Sequence, residues 1–356
     1  MIIKSKHEDY PVFFFNSVNE AILQITDLDL FVLIDRNIYN LYHEALKEFL
    51  SKNPYFIVEP IEQFKTLSGV EKVSEWLVSN KATKSSKIIA IGGGITQDLA
   101  TFVSSIYHRG VKWIFFPTTL LSQADSCIGA KCGINLTDHK NQLGVIYAPS
   151  QIFIVQEFLG TLNEDDFASG YGEIYKLSVT GSREFYKDFK NHLYINGLKN
   201  INMNYLIRLS LLAKQEIIEL DEYENDLRRV LNYGHTFGHA LEALSKHMIP
   251  HGMAILFGMD LINYLGVKWG ITSKEFFVDF RKTIKDHYNN LSYKLSLDAS
   301  DLVEKIKTDK KMFAGSMNFA IPVKSGEIII HKYIIDKKLE MLVQEYLDHE
   351  SIFNFT

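Results

Sequence analysis

The sequence predicts an α/β protein in two parts. A Rossmann-like N-terminal domain with a parallel sheet spans residues 1–160, and a mainly α-helical C-terminal domain spans residues 161–356. Three observations predict this. Short β-rich runs alternate with helix-like segments through the first half, the order a parallel sheet requires. After about residue 160, long segments with helical spacing follow one another, with Gly and Pro sparse inside them. The chain has 356 residues, more than one ordinary core holds.

The elements follow in order. Leu30–Ile34 is a short apolar run ending at Asp35, and Lys87–Ile91 is a second that enters Gly92-Gly93-Gly94 directly. Val111–Phe116 is a third, closed by Pro117, and Ile152–Val155 reads as the last strand of this domain. Leu67–Val78 and Gln97–Ser105 carry helical spacing between the strands. In the second half Phe167–Val179, Asn204–Glu219, Leu227–Leu244, Met253–Leu265 and Lys274–His287 read as helices. Asn318–Ile321 and Glu327–His331 read as a hairpin around Lys324-Ser325-Gly326. The boundary is placed near residues 160–163. A cleft between two such domains is a common location for an active site.

Composition narrows the function. With 46% hydrophobic and 23% charged residues the chain is ordinary globular protein. A net charge of −5 supplies no global field for nucleic acid or an anionic membrane, so an anionic ligand needs a local basic pocket. No apolar run approaches the ~20 residues of a membrane helix, and the N-terminus turns charged before a signal-length core develops. Cys127 and Cys132 cannot build a disulfide framework and read as reduced packing residues. A cytoplasmic protein is expected.

The most informative stretch is Leu231–Ala240. His235 and His239 are four apart and share a face of a helix, and His251 follows in Pro250-His251-Gly252. Two imidazoles and a carboxylate form a metal set that leaves positions open for substrate oxygens. Glu173, among the small residues of Gly170-Tyr171-Gly172, is the candidate acid. Spacing alone equally allows a hydrogen-bonded histidine pair, and many acids are available. Gly92-Gly93-Gly94, between a strand and a helix, can bring backbone amides against a pyrophosphate, although it also fits a simple tight turn. Asp35 at a strand end suits a ribose hydroxyl. The segment 122–144 reads as a small-residue loop wrapping a ligand and carries Asp125, Lys131, Lys140 and Asn141. Lys176, Lys214, Arg228 and the Lys310–Lys311 pair add basic groups that would have to converge to make an anion site.

Taken together these blocks resemble the 3-dehydroquinate synthases of the sugar-phosphate cyclase group, whose fold is similar to that of iron-containing and glycerol-type dehydrogenases. The resemblance runs from about Asp35 to Gly326. It rests on Gly-Gly-Gly-x-x-x-Asp at 92–98, Pro-Thr-Thr-Leu-Leu-x-Gln-x-Asp-Ser at 117–126 and Lys-x-Gly-Ile-Asn at 131–135. Lys-Asn-x-x-Gly at 140–144, Gly-x-Gly-Glu-Ile-x-Lys at 170–176 and Asp-Glu-x-Glu-x-x-x-Arg at 221–228 follow. The series closes with Leu-Asn-Tyr-Gly-His-Thr-Phe-Gly-His-Ala at 231–240, His-Gly at 251–252 and Asp-Lys-Lys at 309–311.

The resemblance implies that Glu173, His235 and His251 hold a zinc or cobalt ion. It implies an NAD site lined by Asp35, Glu62, Lys65, Gly93, Gly94, Ile95, Asp98, Thr118, Thr119, Lys140 and Thr161. It assigns substrate contacts to Asp125, Lys131, Lys140, Asn141, Lys176, Lys214, Arg228, Asn232, His239 and one of Lys310 and Lys311. Arg109 matches a position that reaches the neighbouring subunit's pocket, which implies a homodimer. The implied substrate is a small anionic sugar phosphate, 3-deoxy-D-arabino-heptulosonate 7-phosphate. The implied reaction oxidises it transiently with NAD, eliminates phosphate, re-reduces it and closes the ring by an aldol step. Four positions depart from the usual pattern: Met253 stands for Glu, Thr96-Gln97 for a small aliphatic residue and Gly, Ala130 for Gly, and Asn163 for Pro. They leave room for a cyclase acting on a related sugar phosphate. A metal-dependent polyol dehydrogenase of the same fold is the other alternative.

Overall fold

The computed structural model describes residues 1–137, 139–196, 202–246, 248–288, 292–293, 295, 297–307, 315–351 and 354–355. Lys310 and Lys311 lie outside the described residues. Packing divides the chain into two compact units. The first is Met1–Phe167 with Ile218–Tyr223, and the second is Ala168–Ile217 with Glu224–Thr356.

The strands of the first unit are β1 (Ile2–Ile3), β2 (Tyr10–Phe15), β3 (Leu30–Asp35), β4 (Tyr55–Val58), β5 (Lys87–Gly92), β6 (Trp113–Pro117), β7 (Ile134–Leu136), β8 (His139–Leu143) and β9 (Gln151–Val155). Seven form one sheet in the order β1-β2-β9-β6-β5-β3-β4, parallel throughout except for β1 on β2. β7 and β8 form a separate antiparallel hairpin. β3 is buried at every position, and β6 likewise. That is the continuous apolar pattern of strands covered on both faces. The helices are α1 (Val18–Ile22), α2 (Arg36–Lys52), α3 (Leu67–Ser79) and α4 (Gly94–Ile106). Val32, Ile34, Ile89, Ile91, Ile114, Phe116 and Phe153 of the sheet pack with Ile38, Leu46 and Leu50 of α2 in one core.

β2 and β4 are among the strands that escaped the sequence reading, each for a physical reason. Pro11 interrupts the donor pattern of β2, and β4 is a four-residue edge with an exposed Tyr55. The segment 122–144 is more ordered than the expected loop. It holds a π-helical turn at Ser122–Ser126 and then the β7–β8 hairpin. Such π turns recur at functional sites.

The second unit contains most of α5 (Glu164–Thr180), then α6 (Arg183–Asn196), most of α7 (Met203–Leu220), α8 (His235–Leu244), α9 (His251–Lys268), α10 (Lys274–Tyr288), α11 (Ala299–Lys307) and α12 (Lys337–Glu345). Parallel β10 (Ser292–Tyr293) and β13 (Asn354–Phe355) and the antiparallel hairpin of β11 (Ser316–Lys324) and β12 (Glu327–Ile334) complete it. α9 is buried at every position from Gly252 to Gly266, so the unit packs around it. One expectation is corrected: Leu227–Leu244 is not a single helix. Leu227–Asn232 is a 3₁₀ turn, Gly234 takes a left-handed φ of 78°, and α8 begins only at His235. A side chain is strained there, and the space is closed as well, since a Cβ on Gly234 would lie 2.7 Å from the Ile255 carbonyl oxygen.

Candidate active site

The second unit brings its site residues together through a helix crossing that glycine alone permits. A Cβ on Gly172 of α5 would lie 2.2 Å from the Gly252 carbonyl oxygen, and one on Gly252 of α9 would lie 2.2 Å from the Ser169 oxygen. The two backbones therefore touch, and the next residue of one helix, Glu173, meets the preceding residue of the other, His251. His235 opens α8, which packs along α9.

Glu173 is almost wholly buried. Its Oε1 lies 3.0 Å from His251 Nε2 and 3.5 Å from His235 Nε2. One ligand-type atom from each of the three residues lies within 4.8 Å of the other two. Zinc bonds of ~2.0–2.1 Å at tetrahedral angles space their donors about 3.3 Å apart, a value between the two measured separations. The far nitrogens are occupied: His235 Nδ1 is 3.1 Å from the Tyr233 carbonyl oxygen, and His251 Nδ1 is 3.0 Å from Glu242 Oε2. Both rings thus turn Nε2 toward the carboxylate, as second contacts orient ligating imidazoles. Glu173 Oε2 is ion-paired with Lys176, one turn along α5. Burial would lower the His251 pKa, but the carboxylates of Glu173 and Glu242 outweigh it and lift it to about 10. Two carboxylates thus address one imidazole, and the donor set of Glu173, His235 and His251 fits a divalent ion.

His239, one turn beyond His235, is exposed, with the two rings 5.1 Å apart. With Glu242 and His251 it forms a second close group of ligand-type atoms. Glu242 was missed by the sequence reading, although its place seven residues after His235 puts it on the same helical face. Lys214 on α7 and Arg228 in the 3₁₀ turn are buried. Asn232 donates to Glu224 Oε1 at 2.7 Å.

The first unit holds the other candidates. Asp35, the Gly92–Gly94 turn and Thr118–Thr119 sit at the C-terminal ends of neighbouring strands β3, β5 and β6, where open α/β sheets bind ligands. Thr118 N–H donates to the Gly92 oxygen at 3.1 Å. A Cβ on Gly94 would meet nothing within 4 Å, so the start of α4, where half-buried Ile95 follows, is open to a ligand. Asp35 Oδ1 accepts from Asn37 N–H at 2.8 Å and caps α2, while burial holds its carboxyl above the usual range. The Thr161 hydroxyl is 3.1 Å from Tyr42 Oη.

Lys65 is the centre of a buried network. Its Nζ lies 3.0 Å from Asp98 Oδ2, 2.8 Å from Asn141 Oδ1 and 3.4 Å from Glu62 Oε1. Asn135 donates to Glu62 Oε1 at 2.7 Å and accepts from Asn141 N–H at 2.9 Å. Glu62, Lys65, Asp98 and Asn141 therefore tie the β7–β8 hairpin to α4. Lys140, 4.0 Å from Glu62 Oε2, and Lys131 are exposed, and Asp125 is buried in the π-helical turn. Arg109 is exposed in a turn where His108, Arg109 and Gly110 all take left-handed φ. The candidates thus form two groups, one in each unit.

Two of the unusual positions, Gln97 and Asn163, have local explanations. Gln97 and Ser126 exchange two hydrogen bonds of 2.7 Å, which fasten the π-helical turn to α4. Asn163 Oδ1 accepts from Asp166 N–H at 2.8 Å and caps the start of α5. Ala130 carries a left-handed φ of 57°, a conformation that favours glycine. Met253 is buried in α9.

The fold is that of the sugar-phosphate cyclases. A 2-deoxy-scyllo-inosose synthase, solved with carbaglucose-6-phosphate, NAD+ and Co2+, superposes with a TM-score of 0.87 at 22% identity, covering 97% of this chain and 99% of that one. A 2-epi-5-epi-valiolone synthase from Streptomyces hygroscopicus subsp. jinggangensis, with NAD+ and Zn2+ bound, gives 0.84 at 21% identity, covering 98% and 100%. Sequence then singles out one branch. The 3-dehydroquinate synthase N-terminal profile matches residues 55–169 and the C-terminal profile residues 170–312. The 3-dehydroquinate synthase of Dictyoglomus turgidum is 34% identical, covering 98% of this chain and 99% of that protein. That of Caldanaerobacter subterraneus subsp. tengcongensis is 33% identical, covering 93% and 96%. This chain belongs to the 3-dehydroquinate synthase family.

Proposed function

We propose that the chain converts 3-deoxy-D-arabino-heptulosonate 7-phosphate to 3-dehydroquinate and phosphate, with NAD recycled in each turnover and one divalent ion, zinc or cobalt. The observation that carries this reading is the buried Glu173 carboxylate with the Nε2 atoms of His235 and His251 turned onto it, in a chain matched nearly end to end by 3-dehydroquinate synthases. When bound, the ion polarises a substrate oxygen and NAD accepts a hydride that is returned in the same cycle.

The remaining work falls to side chains. Lys176 holds the second oxygen of Glu173, and Glu242 and the Tyr233 carbonyl hold the far nitrogens of the two imidazoles. Lys214 and Arg228 bind the substrate carboxylate, the guanidinium through two oxygens. Lys131, Lys140, Asn141, Arg109 and one of Lys310 and Lys311 bind phosphate, Asp125 and Lys176 orient hydroxyls, and Asn232 is a further substrate contact. Such clamps lower the barrier by fixing orientation. His239, exposed beside the pocket, relays protons to solvent. Gly93, Gly94 and Ile95 receive the cofactor pyrophosphate at the start of α4 and Asp35 its ribose. Glu62, Lys65, Asp98, Thr118, Thr119 and Thr161 complete that cradle. Arg109 acts in the pocket of a second copy, so the working form is a homodimer. The setting is cytoplasmic, where the thiols of Cys127 and Cys132 stay reduced.

Buried Met253, at a position where an acid is usual, supports a second reading, a cyclase for a related sugar phosphate. One assay separates the readings. Protein, catalytic NAD and zinc are incubated with 3-deoxy-D-arabino-heptulosonate 7-phosphate, and in parallel with glucose 6-phosphate, and released phosphate and carbocycle are identified. Release of 3-dehydroquinate from the first substrate is expected. Turnover of the second alone would establish the other cyclase. Net NADH with simple polyols and no phosphate release would establish a dehydrogenase.

A further inference from the structure

α8 places His235, His239 and Glu242 on one face, at intervals of four and three residues. His251, the first residue of α9, meets that face, and different carboxylates address its two nitrogens. Nε2 is 3.0 Å from Glu173 Oε1, and Nδ1 is 3.0 Å from Glu242 Oε2. The Glu242 side chain is only 15% exposed, so little water competes for the contact. Two groups of ligand-type atoms therefore share one imidazole: Glu173–His235–His251 and His239–Glu242–His251. A neutral imidazole offers one lone pair and one N–H, so only one of its two edges can ligate. The Nε2 edge faces the more deeply buried carboxylate together with a second imidazole. The Nδ1 edge is then the N–H, with a carboxylate acceptor in line.

We propose that Glu242 is a positioning residue for the cation pocket. It accepts the Nδ1–H of His251, so that Nε2 is the nitrogen left to offer its lone pair to a cation beside Glu173, and it does not hold a second cation with His239. The proposal rests on reading Glu173, His235 and His251 as the metal ligands. The far nitrogen of His235 faces the Tyr233 carbonyl oxygen. A carboxylate is the stronger acceptor, so His251 is the ligand whose orientation depends most on one side chain.

The full-length protein is stripped of metal and titrated with zinc against a chromophoric chelator, alongside Glu242→Ala, Glu242→Gln, Glu242→Asp and His235→Ala. One equivalent is expected in the wild type. Removal of the carboxylate raises Kd roughly ten- to a hundred-fold, with Glu242→Ala most affected and Glu242→Asp partly restored. Nitrogen NMR of histidine-labelled, zinc-loaded protein is expected to find the His251 proton on Nδ1, with a changed signature in Glu242→Ala. Isosteric Glu242→Gln, with an unchanged melting curve, separates positioning from misfolding. Loss of zinc in His235→Ala together with wild-type affinity in every Glu242 variant would overturn the role of Glu242 and leave the metal site standing. A second equivalent in the wild type that disappears in Glu242→Ala would also overturn it. Full zinc affinity in His235→Ala would remove the ligand assignment, and the proposal with it.

Discussion

Glu173, Lys176, His235, Glu242 and His251 are held by contacts to one another where α5, α8 and α9 pack closely. At the Gly92-Gly93-Gly94 turn the Thr96 and Thr119 side chains close the space beyond Gly92 and Gly93, and the space beyond Gly94 is open. The first arrangement depends on the separation of two helices to within a few tenths of an ångström, because side-chain reach is fixed. The second depends on what is missing: Thr96 and Gln97 leave the space at Gly94 open. The proposed cation site is built from interlocked side chains, whereas the proposed pyrophosphate cradle is built from a strand end and a helix start.

The contrast is open to attack by mutation. His235→Ala removes a donor and is expected to abolish metal retention. Turnover should fall about a thousandfold, the loss of ~4 kcal/mol of electrostatic assistance. Metal content after gel filtration, measured with turnover, checks this, and a metal-replete active variant would break the ligand assignment. Gly172→Ala forces α5 away from α9 and is expected to destabilise the protein by about 3 kcal/mol and to release zinc. Denaturant melts with zinc titration read both. Gly94→Ala is the matched test on the other side. Its Cβ has room, so the melt is expected to be unchanged while the NAD Kd rises about tenfold, a cost of ~1.4 kcal/mol. A fall in stability with unchanged NAD affinity would reverse the comparison. The smallest effect is expected from Ala130→Gly, which relieves a left-handed alanine and should stabilise by at most about 1 kcal/mol, since glycine also loosens the unfolded chain.

The same contrast explains what the sequence could disclose. His235 and His239 were legible as a pair because helical spacing converts directly into a shared face, and His251 because sixteen residues allow a helix, a turn and a return. Buried β3, β5 and β6 were legible because unbroken apolar runs of that length pack on both sides. Glu173 could not be chosen by spacing, since what selects it is the crossing of α5 with α9 through Gly172 and Gly252, a contact between residues eighty apart. Glu242 had the right helical phase but could not be told from a solvated acid without the His251 ring beside it. β2 and β4 were lost to a proline and to edge exposure. The break at Gly234 hid inside an otherwise helical pattern because its cause, the backbone of α9, lies elsewhere in the chain. The Lys65 network shows the same limit: Glu62, Lys65, Asp98, Asn135 and Asn141 are spread over residues 62–141 and are joined only by the fold.

The central claim is that one divalent cation sits among residues 173, 235 and 251. Crystals of the protein grown with one equivalent of zinc, with data collected on both sides of the zinc absorption edge, test it directly. A single anomalous peak within bonding distance of Glu173 Oε1 and both Nε2 atoms is predicted. A peak bound elsewhere, with those three side chains still in contact with one another, would contradict it.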